Sequence, residues 1–327
     1  MDAKITKLRL SRMLSYDWVK IVAIIAGAIF FWVFIFTATA TRITPAQQFT
    51  IMNYEGNLPM STGKLADFYI NEINGDKFSK EVFEITLADM TTSAEYGHTL
   101  LQARTEMDEG DVIFVSKQPD ASTAYEEDGV VKYSRTYLDT FVNGYWYMMY
   151  DLDRDAEDGF FKKMEAELNK YYDGGYVGGT LNKDKAETLF RERIERTGDK
   201  RYKKEEQIAV GIADEIDRVQ KYRDALVRFD KHLSDVTVAL EKTAIYANGE
   251  LYKEGYYSIN LCPGESMKKL SDYIGYVKEE EVDGKKQQKK VADDMQICLW
   301  DLGGIEDCFR YEALIFVVDL IDTVLAA

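Results

Sequence analysis

The stretch LLQARTEMDEGDVIFVSKQ, residues 100–118, changes secondary structure within a few residues. Its first half places apolar residues three and four apart, which predicts one face of a helix, whereas the run 112–115 is a short apolar strand. Gly110 separates the two halves, and we expect it to end the helix in a left-handed conformation. Asp111 would then turn the chain into the strand, so this junction fixes the order of helix and strand.

The residues before this junction predict two more strands and one more helix. Residues 48–54 (QFTIMNY) and 81–89 (EVFEITLAD) have strand-like composition, and the second segment alternates with a period of two. Between them, residues 64–74 (KLADFYINEIN) have helical spacing, and Ser93 is a suitable N-cap for the helix that leads to Gly110. The order β-α-β-α-β predicts an α/β fold with a parallel sheet and right-handed crossovers.

Loops that follow parallel strands meet at one edge of the sheet, where open α/β folds bind their ligands. Three such loops belong to the first predicted lobe, about residues 48–118. The candidate ligand-binding residues are Asn53, Tyr54 and Glu55 after the first strand, Asp89 and Met90 after the second, and Lys117 and Gln118 after the third.

The segment GYWYMMY, residues 144–150, concentrates aromatic and methionine side chains. Such a segment belongs either to a hydrophobic core or to the lining of a sugar cleft, because aromatic rings stack on the apolar faces of sugars. The sequence leaves both alternatives open. Under the second, Tyr145 and Trp146 are the candidate stacking residues.

The rest of the chain is expected to be helical over about residues 155–245 and to return to strands and a closing helix over about 246–327. Ala247-Asn248-Gly249 predicts a hairpin turn, and the charged residues 279–290 predict a solvated loop or a hairpin tip. The last apolar segment contains acids, so we expect a core helix rather than a second membrane span. The acids are Glu312, Asp319 and Asp322.

The N-terminal region has the properties of a membrane anchor. Residues 21–36 (IVAIIAGAIFFWVFIF) contain no charge, and their apolar flanks extend the run toward the ~20 residues that span a bilayer. The positive-inside bias predicts a single-pass protein of the cell membrane, with a basic cytoplasmic segment at 1–17, a transmembrane helix at 18–40 and an extracytoplasmic domain at 41–327. The alternatives are a buried soluble helix and a signal peptide cleaved near Ala38-Thr39-Ala40.

The charge distribution supports this division. The chain has a formal net charge of -16 and an isoelectric point of about 4.7. Its first twenty residues contain five cations and two acids, a balance of +3, so the remaining residues carry -19. A domain this acidic repels phosphate backbones, and we therefore expect no nucleic-acid partner.

No motif in the sequence indicates a catalytic centre, a cofactor or a bound metal, so we expect a non-enzyme. The acidic segment DLDRDAEDG, residues 151–159, fails the EF-hand pattern, because neither register has glycine at position six and an acid at position twelve. The chain has three cysteines, Cys262, Cys298 and Cys308. Either Cys262 and Cys298 form a disulfide, or the thiols are buried as small hydrophobic groups.

The junction in TLLQARTEMDEGDVIFV, residues 99–115, resembles an element of the extracellular solute-binding proteins of ATP-driven (ABC) importers. Residues 250–261 (ELYKEGYYSINL) are similar to the G-x-x-Y-G-I-P strand near the hinge of that family, with Ser258 and Asn260 at the usual glycine and proline positions. Residues 310–321 (RYEALIFVVDLI) resemble its closing helices loosely. The resemblance implies a periplasmic-binding-protein-like domain and an ABC permease as partner. The anchor and the short chain depart from the family and would mark a reduced relative.

The leading functional hypothesis is therefore a non-catalytic, membrane-anchored protein that captures a small polar ligand, such as a sugar, for an importer. The alternative is a structural or interaction subunit of a membrane or envelope complex that recognises a protein partner. The retained anchor and the long helical region favour the alternative, since the binding-protein pattern explains neither.

Overall fold

The structure is a computed structural model that describes residues 7–39, 47–66, 77–91, 94–107, 109–282, 285–301 and 311–327. It divides into two compact units, Met1–Ile43 and Thr44–Ala327. The first unit contains an apolar helix, and the second contains a sheet with helices on both faces.

In the first unit, helix α1 extends over Lys7–Thr39. Its segment Trp18–Thr37 has a mean hydropathy of 2.6 and no buried residues, and it is long and apolar enough to cross a bilayer. Membrane anchors and signal sequences share these properties, whereas the helix of a soluble core would be covered. The alternative of a buried soluble helix therefore has no support in this unit.

The described part of the second unit contains twelve strands and six further α-helices. The strands are β1 Gln48–Asn53, β2 Glu84–Asp89, β3 Val112–Ser116, β4 Ala124–Glu127, β5 Val130–Tyr133, β6 Tyr172–Asp173, β7 Thr180–Leu181, β8 Ala239–Ala247, β9 Glu250–Asn260, β10 Tyr276–Val282, β11 Lys285–Val291 and β12 Met295–Leu299. The helices are α2 Ala94–Glu106, α3 Tyr137–Tyr145, α4 Phe160–Asn169, α5 Lys183–Thr197, α6 Glu205–Ser234 and α7 Glu312–Ala326.

Six of the strands form one mixed sheet in the order β2-β1-β3-β12-β9-β8. Strands β2, β1 and β3 are parallel, with Ile51 beside both Leu87 and Val112, as the β-α-β-α-β pattern predicts. Strand β12 is antiparallel to β3 and β9, and β8 is antiparallel to β9. The prediction of a parallel sheet is therefore wrong for this second half. The Asn248-Gly249 turn, in which both residues have positive φ, joins β8 to β9, and a two-residue turn joins only antiparallel strands.

The sheet is buried on both faces, so its central strands are continuous apolar runs rather than alternating ones. Ile51 and Phe114 face the layer of α4, α6 and α7, and the ring of Phe114 lies 6.1 Å from that of Phe316 on α7. Met52 and Val115, one residue further along each strand, face α3 on the other side. The three central strands β1, β3 and β12 thus hold the two helical layers apart.

Helix α7 is the core helix that the sequence predicts. Its apolar residues from Ala313 to Val324 are buried, as is Glu312, whereas Asp319 and Asp322 are partly exposed. The carboxylate of Glu312 accepts hydrogen bonds from the hydroxyl of Tyr222 at 3.1 Å and from the amide of Ser79 at 3.3 Å. Asp322 accepts a hydrogen bond from Arg228 at 2.9 Å. These partners explain how a buried helix retains acidic residues.

The junction at Gly110 has a different geometry from the one predicted. Helix α2 ends at Glu106, and Gly110 lies beyond it with φ +135, so it is not the left-handed C-cap of that helix. A Cβ atom on Gly110 would lie 2.4 Å from Cε of Met52 and 2.8 Å from Cδ1 of Trp300. Glycine is needed here for its backbone conformation and for close packing against β1 and the end of β12.

Other sequence expectations have mixed outcomes. The helical region ends at Ser234 rather than near residue 245, because residues from Ala239 belong to edge strand β8. Residues 279–282 and 285–290, for which the sequence predicts a loop or a hairpin tip, lie in the paired strands of an antiparallel hairpin, β10–β11. Most of the helix expected at residues 64–74, and the expected N-cap Ser93, lie outside the described residues. The strands of the predicted first lobe, β1, β2 and β3, do not form a separate sheet. They belong to the same six-stranded sheet as β12, β9 and β8.

The sequence left two alternatives for the cysteines, a disulfide or buried thiols, and the structure shows buried thiols for Cys262 and Cys298. Cys262 and Cys298 are free and buried, and no disulfide joins them. Burial raises the pKa of the Cys298 thiol far above its usual range. Cys308 lies outside the described residues.

Candidate functional site

The carboxyl ends of β1, β2 and β3 meet at one edge of the sheet. After β1 the chain passes to β2 on one side, and after β2 it crosses to β3 on the other, so the strand order reverses between β1 and β3. Such a reversal is where open α/β sheets bind ligands. The structure brings seven of the nine candidate residues to this edge, namely Asn53, Tyr54, Glu55, Asp89, Met90, Lys117 and Gln118.

The polar groups after β1 and β2 bond to one another. The side-chain amide of Asn53, which is fully buried, donates to Oδ1 of Asp89 at 3.1 Å and to the carbonyl of Leu58 at 2.9 Å. Oδ2 of Asp89 accepts from the amide of Met60 at 2.6 Å. Asn57 donates to Oδ1 of Asn53 at 2.9 Å. The loop after β1 therefore folds back over the strand ends and occupies the position where a ligand would lie.

The loop after β3 is attached in the same way. The backbone amide of Tyr54 donates to the carbonyl of Phe114 at 2.9 Å, and the side chain of Gln118 donates to the carbonyl of Gly56. Lys117 forms an ion pair with Glu241 on β8 at 2.8 Å. Protein groups thus bind the side chains of four candidate residues, Asn53, Asp89, Lys117 and Gln118.

Acidic and phenolic groups gather beside this edge. Burial raises the pKa of Glu55, and the nearby Asp120 raises it further. Burial also holds the pKa of Tyr54 above its usual range, with further contributions from Tyr145, Glu55 and Asp120. Asp120 is fixed by the amide of Ser122 at 2.8 Å and by the hydroxyl of Thr140 at 2.5 Å. We did not predict Asp120 from the sequence, although Asp-x-Ser is a local capping pattern that indicates such a residue.

The two aromatic candidates lie at the other end of α3. The ring of Tyr145 packs edge-on at 6.0 Å from Trp300, and the amide of Trp300 donates to the carbonyl of Asp111 at the start of β3. Tyr145 is therefore a core residue near the amino end of β3, far along the strand from Lys117. Trp146 lies 5.7 Å from the exposed ring of Tyr252 on β9. Tyr145 nevertheless shares a core cluster with Tyr54 of the carboxyl edge, because the ring of Phe141 lies 4.8 Å from that of Tyr54 and 5.3 Å from that of Tyr145.

A polar cavity of about 420 Å³ lies between α3 and the β8–β9 hairpin. The segment after β5, the outer face of α3 and the hairpin all contribute to its lining, which is made by Ser134, Arg135, Asp139, Asn143, Ala244, Tyr246 and Gly249. No direct sequence signal indicates this cavity, because its lining residues come from distant parts of the chain. The one local signal is the capping box that Thr136 and Asp139 form at the start of α3.

Two hairpins carry exposed side chains outside the sheet. In the β4–β5 hairpin every residue of both strands is exposed, including Val130, Val131, Tyr125 and Tyr133. The β10–β11 hairpin is charged, and Lys286 pairs with Glu279 at 3.1 Å across its strands. We call the first the apolar arm, residues 124–133.

A buried charge cluster lies within the helical layer, away from the sheet edge. Glu215 accepts from Arg218 and from Arg193, each at 2.7 Å, and from the hydroxyl of Tyr171 at 2.7 Å. Burial alone would raise the pKa of Glu215, but Arg218 and Arg193 outweigh it and lower the pKa below its ordinary value. These contacts join α4, α5 and α6, which makes the cluster a structural one.

The described residues contain no group of three or more histidine, cysteine, aspartate or glutamate side chains that could hold a metal ion. A scan against protein-family models, a search of curated proteins and a search of solved structures each found no match for this chain.

Proposed function

We propose that the chain is a membrane-anchored interaction subunit, whose extracytoplasmic domain binds a protein partner through the apolar arm. The observation that carries this proposal is the exposure of Val130 and Val131, 57% and 60%, on a hairpin whose described side chains are all exposed.

The physical argument starts from the stability of a hairpin. A lone two-stranded hairpin is marginally stable in water, and it gains stability when one face is covered. The cross-strand pairs place one valine and one tyrosine on each face of the arm, because Val131 lies opposite Glu126 and Val130 lies opposite Glu127. On one of these faces Val131 and Tyr133 are exposed two residues apart on the same strand, and neighbouring exposed apolar side chains mark protein interaction sites.

The acidic surroundings of these side chains suit a partner with some basic character. Asp128 and Gly129 form the tip of the arm, Glu126 and Glu127 precede it on β4, and Lys132 pairs with Glu127. A polar rim around an apolar centre is the usual composition of a protein interface. We therefore expect an apolar contact with basic residues at its margin.

Capture of a small polar ligand at the carboxyl edge is the second candidate function. The reversal of strand order between β1 and β3 and the group of Glu55, Tyr54 and Asp120 support it. Asn53 and Asp89 form hydrogen bonds to other protein groups, which leaves them less able to bind a solute and favours the interaction subunit instead. A thermal-shift screen of the full chain with sugars, amino acids and oligopeptides tests this candidate. A shift that Glu55→Gln abolishes would support solute capture, and uniformly flat melting temperatures would count against it.

The anchor and its orientation are part of the proposal. The apolar segment Trp18–Thr37 and the five cations within the first twenty residues support a cytoplasmic N-terminus. Protease added to intact protoplasts should digest the domain after residue 41 and spare the N-terminal segment. A domain that is protected until the membrane is permeabilised would contradict the orientation.

The arm is tested by replacing its two valines with threonine. The Val130→Thr/Val131→Thr variant keeps β-branched side chains and removes apolar surface, so the hairpin should persist. Recovery of co-purified partner from the native membrane should fall at least about tenfold, as expected when central apolar contacts of an interface are lost. Gln287→Thr/Gln288→Thr on β11 is the matched control and should leave recovery unchanged. Equal recovery with both variants would overturn the proposal.

A further inference from the structure

The cavity between α3 and the β8–β9 hairpin holds two opposite charges that do not pair with each other. Arg135 and Asp139 both line it, yet no ion pair joins them. Oδ2 of Asp139 accepts from the amide and hydroxyl of Thr136 at 3.1 and 2.7 Å, which leaves Oδ1 without a hydrogen bond among the described residues. The guanidinium of Arg135 likewise has no carboxylate partner in the described part of the chain. Arg135 is exposed and Asp139 is half-buried, so solvent screens their attraction and both charges remain accessible to a ligand.

The walls of the cavity are fixed by hydrogen bonds that do not use these charges. The side-chain amide of Asn143 donates to the carbonyl of Ala244 at 3.3 Å and accepts from the amide of Tyr246 at 2.8 Å. Asn143 thereby bonds to the outer edge of strand β8 as a neighbouring strand would. The bidentate contact holds α3 at a set distance from the hairpin, so the cavity is formed before any ligand arrives.

The size and lining of the cavity restrict the ligand. Its volume of about 420 Å³ falls within the range of small-molecule pockets. Its lining is mixed: Ala244, Tyr246 and Gly249 come from the hairpin, and Ser134, Arg135, Asp139 and Asn143 are polar residues from α3 and the segment before it. A large apolar molecule would leave these groups unsatisfied, and an ion of one sign would leave one of the two charges unmatched.

We propose that this cavity binds a small zwitterion of the α-amino-acid type. The ligand carboxylate is held by the guanidinium of Arg135, and its ammonium group is held by Oδ1 of Asp139. This site lies outside both the carboxyl edge and the apolar arm, so it is independent of the proposed partner binding.

The proposal is tested by calorimetric titration of the full chain in detergent micelles. The probes are the standard L-amino acids, the amide of each, which lacks the carboxylate, and the corresponding des-amino acids. At least one amino acid should bind at millimolar concentration or below. Its amide and its des-amino analogue should each bind at least about tenfold more weakly, since each loses one charge-assisted contact.

Two variants with the same change in charge separate a direct contact from general electrostatics. Arg135→Gln should weaken amino-acid binding at least about tenfold and leave binding of the amide as in the wild type. Lys132→Gln removes a cation from the neighbouring arm without lining the cavity, and it should leave both affinities unchanged. Absence of binding by every amino acid, or equal weakening by the two variants, would overturn the proposal. Because neither measurement involves a protein partner, its failure is distinct from a failure of the interaction-subunit proposal.

Discussion

Oδ2 of Asp111 accepts a hydrogen bond from the backbone amide of Thr50 at 2.7 Å, which ties the amino end of β3 to β1. The amide of Asp111 also donates to the carbonyl of Thr50 at 3.0 Å, and its own carbonyl accepts from Trp300 at 3.1 Å. One residue thus connects three neighbouring strands. The Glu-Gly-Asp sequence before the third strand is explained by this structural role, at the edge opposite the carboxyl ends where ligands would bind.

The carboxyl of Asp111 makes the stability of the protein depend on pH. Burial raises its pKa to about 7, although the residue as a whole keeps some exposed surface, and the bond from Thr50 opposes the rise. A carboxyl whose folded pKa exceeds the unfolded value contributes stability below about pH 4, and this contribution is lost as the pH rises to about 7.

Asp111→Asn should remove that dependence, because asparagine keeps an acceptor for Thr50 and cannot ionise. The unfolding free energy of the variant, relative to the wild type, should increase by about 1–4 kcal/mol between about pH 4 and about pH 8. Urea titrations at both pH values measure the difference. Parallel pH slopes for wild type and variant would contradict the buried, raised pKa.

Gly110→Ala tests the close packing at the same junction. The new Cβ would clash with Met52 and Trp300 and would occupy a positive φ, so we expect a loss of about 2–4 kcal/mol in unfolding free energy. Gly129→Ala is the control, since Gly129 also has positive φ but has no atom within 4 Å of the added Cβ. Its cost should be about 1 kcal/mol. Equal losses in thermal unfolding would show that packing contributes nothing at Gly110.

Glu215→Gln tests the buried charge cluster. The substitution removes the carboxylate that faces two buried guanidinium groups, and it should lower the unfolding free energy by about 3–5 kcal/mol. Glu254→Gln breaks the exposed pair with Lys242 and should cost about 0–1 kcal/mol. Chemical denaturation of both variants compares the two. A small loss for Glu215→Gln would mean that the cluster does not hold α4, α5 and α6 together.

The parts of the fold that the sequence could predict are those with local signals. The run 112–115, the Asn248-Gly249 turn and the apolar residues of α7 each carry a periodicity or a turn preference that fixes the element. The antiparallel insertion of β12 between β3 and β9 has no such signal, because strand neighbours far apart in sequence are set by packing of the whole sheet.

The candidate site could also be predicted only as far as local signals reach. The sequence identified the loops at the carboxyl edge, since strand ends follow from the strands. It could not reveal that Asn53 bonds to Asp89, because two polar residues 36 positions apart become neighbours only through the parallel pairing of β1 and β2. The cavity at Arg135 and Asp139 depends on the packing of α3 against β8, which is likewise a tertiary feature.

Site-specific photocrosslinking tests the interaction-subunit proposal most directly. A photoreactive amino acid is placed at Val131 on the apolar arm, and in a separate variant at the exposed Gln288 on β11, in the full chain within its native membrane. The account predicts one dominant protein adduct from position 131, with none from position 288, and competition of that adduct by unlabelled wild-type protein. Adducts to lipid only, or identical adducts from both positions, would contradict the claim that the apolar arm is the surface that binds the partner.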